Sequence, residues 1–234
     1  MKERPSQFSP ESSTQKVLEG ILRAKLHYLS RRMIKNPEGN SGFYIRTPQE
    51  NDAFELKALY LASFPGYPFS SMVHTEEGHQ KFLKDPSSIR IIAESELGEI
   101  CASAALGSVP PDLSGEIKQV VVHPRWREKG LSLSLIQSLV EIGEIAGLQY
   151  LYMDVRARMI QMQKTALRAG FSAVGFRVGQ HLVYHPAGPK REHMIHMVKL
   201  LNGAGGWLDE GENQKIEPRI ICQLQEAGVR VSLP

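Results

Sequence analysis

Apolar and polar positions alternate along the chain in two periods, one typical of helices and one typical of strands. The first helical pattern extends from Thr14 to Ile34 and ends at a segment rich in Asn, Pro and Gly. Its apolar positions are Val17, Ile21, Leu22, Leu26, Leu29 and Met33. This spacing predicts an amphipathic helix, which we expect to pack on its own protein rather than on a membrane surface.

A longer series of elements follows between residues 43 and 200. Strands are predicted at 43–46, 89–94, 99–106, 116–123, 150–155, 176–184 and 193–200, and helices at 47–63, 76–84, 132–146 and 160–169. Thr47, Pro48 and Glu50 fit the N-cap, the first-turn proline and the acidic partner of a capping box. The order predicts an α+β fold around a mixed sheet, with an antiparallel meander, one parallel strand–helix–strand crossover and a final hairpin.

Three regions are expected on this basis. Residues 1–42 hold a polar tail and the amphipathic helix, residues 43–201 form the main domain, and residues 202–234 are a C-terminal extension. The extension begins with a glycine-rich linker and is too short for a second domain. We expect it to dock on the main domain or on a second subunit, so a homodimer is one interpretation.

Composition and charge exclude several classes of protein. The chain has 234 residues, a formal net charge of +3 and only two cysteines, Cys101 and Cys222, without a CxxC pair. No disulfide framework, metal site or transmembrane run is expected, and the polar N-terminus has no apolar signal core, which favours a cytoplasmic protein. The charge is too weak and too dispersed to predict nucleic-acid binding, but it suits an anionic small ligand.

The most informative segment joins a predicted strand to a predicted helix at residues 120–132. Val120, Val121 and Val122 end the strand, and a basic turn with Gly130 leads into the helix. The first backbone amides of a helix lack partners within it and favour an anion such as a diphosphate. A glycine lets such a ligand approach the backbone closely, and Arg127 and Lys129 add positive charge. We expect these amide donors to have no protein acceptor.

In this context the segment from Phe43 to Leu200 resembles the GNAT acyltransferases (GCN5-related N-acetyltransferases). Their acyl-CoA signature, Arg/Gln-x-x-Gly-x-Gly/Ala, corresponds here to the six residues 127–132, in which Glu128 replaces a frequent glycine and Ser132 replaces the final small residue. The resemblance implies a mostly antiparallel sheet with a central parallel strand pair and helices on both faces. It implies that acetyl-CoA, or another short acyl-CoA, is the co-substrate. The implied cofactor-binding residues are Val120, Val121, Val122, Arg127, Glu128, Lys129, Gly130, Leu131, Ser132 and Leu133.

The resemblance also implies candidate catalytic residues. Glu116 and Asp154 are candidates for the base that deprotonates an amine. The tyrosine and asparagine that many family members use at the leaving thiolate correspond to Ala166 and Met159, so this chain lacks both. Tyr67, Tyr152, Tyr184 or water could replace them, or the proton that leaves the amine could protonate the thiolate directly.

On the acceptor side, Tyr67 and Phe69 are expected to shape the pocket, and the surrounding sequence is weakly similar to the β-lysine acetyltransferase branch. The sequence therefore predicts direct transfer of an acyl group to a primary amine of a small molecule or peptide. The alternative is a GNAT-like module that binds acyl-CoA as a sensor or scaffold without catalysis, which the missing tyrosine and asparagine would explain.

Overall fold

The computed structural model describes residues 10–29, 32–35, 42–64, 70–185 and 187–207. Helices and strands alternate along this part of the chain. The helices are α1 (Pro10–His27), α2 (Ala53–Ser63), α3 (Ser70–Val73), α4 (Glu76–Lys84), α5 (Leu131–Ile145) and α6 (Ile160–Arg168). The strands are β1 (Arg32–Lys35), β2 (Gly42–Arg46), β3 (Ser88–Ser95), β4 (Ile100–Val109), β5 (Ser114–Val122), β6 (Tyr150–Arg156), β7 (Ser172–His185) and β8 (Gly188–Leu200).

The eight strands form one sheet in the order β1-β2-β3-β4-β5-β6-β8-β7. Strands β5 and β6 are parallel, and every other neighbouring pair of the described strands is antiparallel. The parallel pair arises because α5 crosses from the end of β5 back to the start of β6. This confirms the α+β fold with a central parallel pair.

Helices cover both faces of the sheet and bury a separate apolar cluster on each. Helices α1 and α5 contribute to the larger cluster with Ile21, Tyr28, Leu135 and Ile136, all essentially inaccessible to solvent. Helix α2 contributes Leu56, Leu59 and Tyr60 to the smaller cluster on the opposite face, against residues such as Ile92 of β3. Alternating strand residues supply both clusters because successive side chains of a strand point to opposite faces.

The N-terminal helix is shorter than its apolar pattern predicts. Helix α1 ends at His27, and residues 32–35 form strand β1, paired with β2. The prediction of a helix through Ile34 was therefore wrong, because the open edge of β2 supplies backbone partners that periodicity cannot reveal. The buried face of α1 comprises Val17, Ile21, Ala24 and the adjoining Tyr28, while Leu22, Leu26, Leu29 and Met33 are exposed.

The predicted capping box before α2 also differs from the structure. A short 3₁₀ turn at Glu50–Asp52 precedes the helix, and the Asp52 carboxylate accepts a hydrogen bond from the Gln49 backbone N–H at 2.6 Å. The backbone N–H of Thr47 instead donates to the Tyr28 carbonyl at 2.8 Å. Asp52 takes the acidic role assigned to Glu50 because Arg46 also holds it in an ion pair of 2.6 Å.

The chain divides into two compact units, residues 1–202 and 203–234. In the second unit the structure describes residues 203–207, which include a 3₁₀ turn at Ala204–Trp207. Across the described residues, none of the helices combines the length and apolar character that crossing a membrane requires.

Candidate active site

The parallel strands β5 and β6 are paired by hydrogen bonds at their N-terminal ends and separate towards their C-terminal ends. Their register consists of three pairs, Ser114 with Tyr150, Gly115 with Leu151 and Glu116 with Tyr152. Strand β5 continues to Val122 and β6 to Arg156 with no further pair between them in the described sheet. The sheet is therefore open between these two strands, as the resemblance implies.

A cleft with an empty volume of about 670 Å³ occupies this opening. Both strands contribute to its walls, and helices α2 and α6 and the final hairpin complete them. The lining residues are Tyr60, Phe64, Ile117, Lys118, Gln119, Val120, Met153, Asp154, Val155, Arg156, Met159, Met162, His181 and Met194. Most of these side chains are apolar, and the charged ones come from the two central strands, as is typical of a ligand site.

Strand β5 carries a bulge where the cleft begins. Gln119 has a positive φ of 53°, and the register with β4 shifts between Ser103 and Ala105. The extra residue reverses which alternate side chains face each side of the sheet. Val121 consequently joins the cluster under α2, whereas Val120 and Val122 pack against the cluster under α5.

The N-terminus of α5 lies just beyond the end of β5. The first helical hydrogen bond runs from the Ser134 N–H to the Gly130 carbonyl at 3.1 Å. No acceptor in the described part of the chain bonds the backbone N–H groups of residues 128–133. Six donors at one helix N-terminus are thus available to an anion, which meets the expectation from the sequence.

The turn before α5 is shaped by two residues in the left-handed region, Glu128 with φ 66° and Gly130 with φ 74°. Only glycine adopts this region without steric cost, so Glu128 is strained. The side chain of Glu128 is exposed, as is that of Arg127. Lys129 lies over the Trp126 ring at 5.8 Å, and Trp126 packs edge-on against Phe43 at 5.6 Å. These contacts fix the basic turn against the sheet.

Glu116 lies where β5 and β6 separate. Its side chain is one-third exposed, and Lys118 Nζ is 3.5 Å from its Oε2. Tyr152, its partner in the register, lies on the same side of the sheet. Burial raises the pKa of Tyr152, and the carboxylates of Glu116 and Asp154 raise it further. Tyr152 is therefore protonated at neutral pH and sits within electrostatic range of both candidate bases.

Asp154 is more buried than Glu116 and has two fixed partners. Its Oδ1 is 2.7 Å from His196 Nδ1, and its Oδ2 accepts a hydrogen bond from Arg177 Nη1 at 3.1 Å. The other edge of the imidazole, Nε2, is 3.5 Å from the Tyr150 hydroxyl. The register aligns Asp154 opposite His196 on neighbouring strands, which brings the cluster together on one side of the sheet.

The buried side chain of Arg90 is hydrogen-bonded to the bulge of β5. Arg90, 3% exposed, donates to the Tyr60 hydroxyl, to Ser103 Oγ and to Gln119 Oε1. The Tyr60 hydroxyl in turn donates to the Gln119 carbonyl at 2.8 Å. Each of these partners is electrically neutral, so the charge of Arg90 is held by hydrogen bonds and by the faces of the Phe82 and Tyr60 rings.

The positions that correspond to the family's tyrosine and asparagine offer no proton donor. Ala166 is fully buried in α6, and Met159 lines the cleft just before that helix. Tyr67 and Phe69 lie outside the described residues. No group of three or more metal-ligating side chains occurs in the described part of the chain.

Sequence reasoning missed four residues around the cleft: His196, Arg177, Arg90 and Lys118. Each lies on a strand. His196, Arg177 and Arg90 act through neighbours that are distant in sequence, such as Asp154 for His196. Lys118 instead pairs with Glu116, two residues before it. The alternating pattern of β8 could have shown which face His196 occupies. It could not have shown that β8 pairs with β6, which requires the order of strands in the sheet.

Comparisons with known proteins agree with this geometry. Residues 54–171 match the model of the acetyltransferase (GNAT) family. No curated protein matches the sequence significantly. Among solved structures, the ribosomal-protein-S18-alanine N-acetyltransferase of Escherichia coli superimposes with a TM-score of 0.57 at 18% identity, covering 74% of this chain and 99% of that one.

The spermidine N-acetyltransferase of Vibrio cholerae, crystallised with CoA and spermine, gives a TM-score of 0.57 at 18% identity, with 68% of this chain and 95% of that one covered. At these identities the likeness concerns the fold. The family model spans half of the sequence, and the opened sheet beside an unpaired helix N-terminus agrees with it. The chain therefore belongs to the GNAT acetyltransferase family.

Proposed function

We propose that this protein transfers an acetyl or other short acyl group from acyl-CoA to a primary amine of a small molecule or peptide. The observation that carries the proposal is the position of six amide donors, residues 128–133, beside the open end of the β5–β6 cleft, with no acceptor in the described part of the chain. A diphosphate bound there would leave the acyl arm to enter the cleft. The spermidine N-acetyltransferase structure with CoA supports the choice of donor.

In this proposal the cofactor contacts are shared between backbone and side chains. The amides of Glu128, Lys129, Gly130, Leu131, Ser132 and Leu133 bind the diphosphate, and the side chains of Arg127 and Lys129 add positive charge. Backbone groups of Val120, Val121 and Val122 flank the arm on the β5 side. Because β6 does not pair with this part of β5, the arm can lie between the two strands.

The chemistry proposed for the cleft is direct transfer. Glu116 or Asp154 takes a proton from the acceptor ammonium, and the neutral nitrogen attacks the thioester carbon. The new C–N bond forms as the C–S bond breaks, and the thiolate takes a proton from Tyr152, which recovers one from the nitrogen. A covalent cysteine route has no support in the described residues, because burial raises the pKa of Cys101 to about 12.

The acceptor is proposed to enter from the α2 side of the sheet, where Glu116, Tyr152 and Asp154 lie together. Tyr67 and Phe69 are proposed to line that entrance, and the similarity to the β-lysine acetyltransferase branch stays a prediction. Residues 43–201 are the proposed acyltransferase domain, with α1 packed on it. The activities by which the structural neighbours are named, acetylation of spermidine and of a ribosomal protein, support an amine acceptor.

A second candidate function is a non-catalytic acyl-CoA sensor. Ala166 and Met159 favour it, since neither can protonate a thiolate. It requires the same cofactor site and differs only in turnover. Release of CoA thiol from acetyl-CoA in the presence of amines supports the enzyme, whereas tight CoA binding with no release from a broad amine panel supports the sensor.

The cofactor site is tested with two matched glycine variants. Gly130→Asp places a carboxylate at the proposed diphosphate site. Gly147→Asp places the same group beyond the opposite end of α5, at a similar φ of 76° and with no neighbour within 4 Å of the added Cβ. Calorimetry should show CoA binding lost in the first variant and kept in the second. Equal CoA affinity in both variants would remove the site assignment.

A further inference from the structure

Three carboxylates of the described residues lie on the α2 side of the cleft, and each has a cationic partner. Glu116 faces Lys118, Asp154 is bonded to Arg177 and to His196, and Glu192 is shared by two arginines. These arginines are Arg156 and Arg158, and the Nε of Arg158 lies 3.0 Å from Glu192 Oε1. A carboxylate that already balances a cation attracts a further ammonium group only weakly.

Positive groups outnumber these carboxylates in the described residues. Five cations, Arg90, Lys118, Arg156, Arg158 and Arg177, accompany the three acids. Among the described residues, the hydrogen-bond partners of Arg90 are neutral, and two of them, Tyr60 and Gln119, line the cleft. Its field is strong enough to lower the pKa of the neighbouring His79, in addition to the larger effect of burial. These eight groups of the α2 side therefore carry a net positive formal charge.

Lys118 is the cation best placed to meet an incoming ligand. It lines the cleft, its side chain is about one-third exposed, and its ammonium makes no hydrogen bond within the described structure. The nearest carboxylate oxygen is 3.5 Å away. Gly107 on β4 leaves room for this ammonium, because an added Cβ there would lie 2.8 Å from Nζ. Lys118 can thus donate to a ligand by loosening its 3.5 Å ion pair with Glu116, without breaking a hydrogen bond of the described structure.

These charges affect which acceptor amine the cleft can bind. A polyamine would bring one or more extra ammonium groups into a region that is already positive. An amino acid has a net charge one unit lower than that of the amine lacking its carboxylate, and its carboxylate would meet Lys118. We propose that the acceptor of the acyl group is a primary amine that also carries a carboxylate, bound through Lys118 on the α2 side of the cleft. This inference rests on the proposed function.

The test compares amines that differ only in the carboxylate. The pairs are lysine with cadaverine, ornithine with putrescine, and phenylalanine with phenethylamine. For each pair, kcat/KM is measured by CoA release, and binding to the CoA-saturated protein is measured by calorimetry. The carboxylate-bearing member is expected to be preferred by about tenfold or more, the scale of one partly screened ion pair.

Two charge reversals identify the residue responsible. Lys118→Glu should lower the preference for the carboxylate by about tenfold or more and improve the use of diamines. Lys16→Glu changes the net charge equally on the exposed side of α1, which packs on the opposite face of the sheet, and should leave the preference unchanged. Lys118→Met should reduce the preference without reversing it.

The possible outcomes distinguish failure of this inference from failure of the proposed function. CoA release that favours diamines or shows no preference, an unchanged preference in Lys118→Glu, or no binding of any carboxylate-bearing amine would overturn the inference. Preferential binding of those amines without CoA release would support the inference and contradict the transferase proposal.

Discussion

Individual side chains at the mouth of the cleft differ in how firmly they are held. Glu116 has one loose ionic neighbour, whereas Asp154 is fixed by an arginine and a histidine. A base that contacts the acceptor needs a defined position as well as an available oxygen. Asp154 has the better defined position and lines the cleft, and Glu116 has the more accessible carboxylate.

Isosteric replacements separate these two carboxylates. Asp154→Asn should lower kcat/KM by about 100-fold if Asp154 accepts the proton, and Glu116→Gln should do so if Glu116 does. The rate of CoA release across pH 6 to 9 measures both. Asp112→Asn, an exposed carboxylate before β5, serves as the control. Full activity in both test variants would contradict assignment of either residue as the base.

The stability of the protein should depend on pH through His79. This side chain is buried and its pKa is lowered to about 4, chiefly by burial and then by Arg90. In the unfolded chain His79 binds a proton near pH 6.5. Above that pH its contribution to the free energy of unfolding is therefore fully present. It falls by about 2–3 kcal/mol between pH 6.5 and 4.

Urea denaturation at pH 4.5, 5.5 and 7 checks this dependence. His79→Gln should flatten it, whereas His193→Gln, which changes an exposed histidine, should not. A pH dependence that is the same in His79→Gln and in the wild-type protein would assign the effect to other groups.

At the level of elements, the turn before α5 combines a strained residue with the proposed anion site. Glu128 has φ 66°, its side chain is exposed, and its backbone N–H is one of the amides without an acceptor in the described part of the chain. Glu128→Gly should raise the free energy of unfolding by about 1 kcal/mol and tighten CoA binding, because it removes both the strain and the negative charge. Glu128→Gln should tighten CoA binding without raising stability.

A control for charge is available on the same helix. Glu144→Gln removes a negative charge at the opposite end of α5, where it is exposed, and should leave CoA affinity unchanged. If Glu128→Gln weakened CoA binding, the Glu128 side chain would itself take part in the site.

At the level of the whole molecule, the packing of α1 on α5 couples the N-terminal helix to the helix of the proposed anion site. A Cβ added to Gly20 would lie 2.4 Å from the Ala146 Cα. Gly20→Val should therefore lower the free energy of unfolding by about 2–3 kcal/mol, since the two backbones must separate. Thermal denaturation measures the change, and Glu19→Val, at an exposed position of the same helix, should cost much less. Equal stability of the two variants would show that α1 is not part of the cooperative unit.

Much of the fold could be predicted from local pattern. Helix α4 has the predicted bounds, and α5 and α6 differ from theirs by at most one residue at either end. Helix α2 begins six residues later than predicted, and strands β7 and β8 begin four and five residues earlier. Periodicity and glycine stops carry that information because they act within a few residues. The N-terminal region was less predictable, since strand β1 depends on the open edge of β2 rather than on its own sequence.

The sequence by itself determined the order of elements, the glycine turn before α5 and the basic residues around it, because each follows from neighbouring residues along the chain. Tertiary structure alone decided that β5 and β6 separate after three pairs, that Asp154 lies against His196 and Arg177, and that Arg90 is buried with neutral hydrogen-bond partners. These features arise where strands distant in sequence become neighbours, and strand order is set by the packing of the whole sheet.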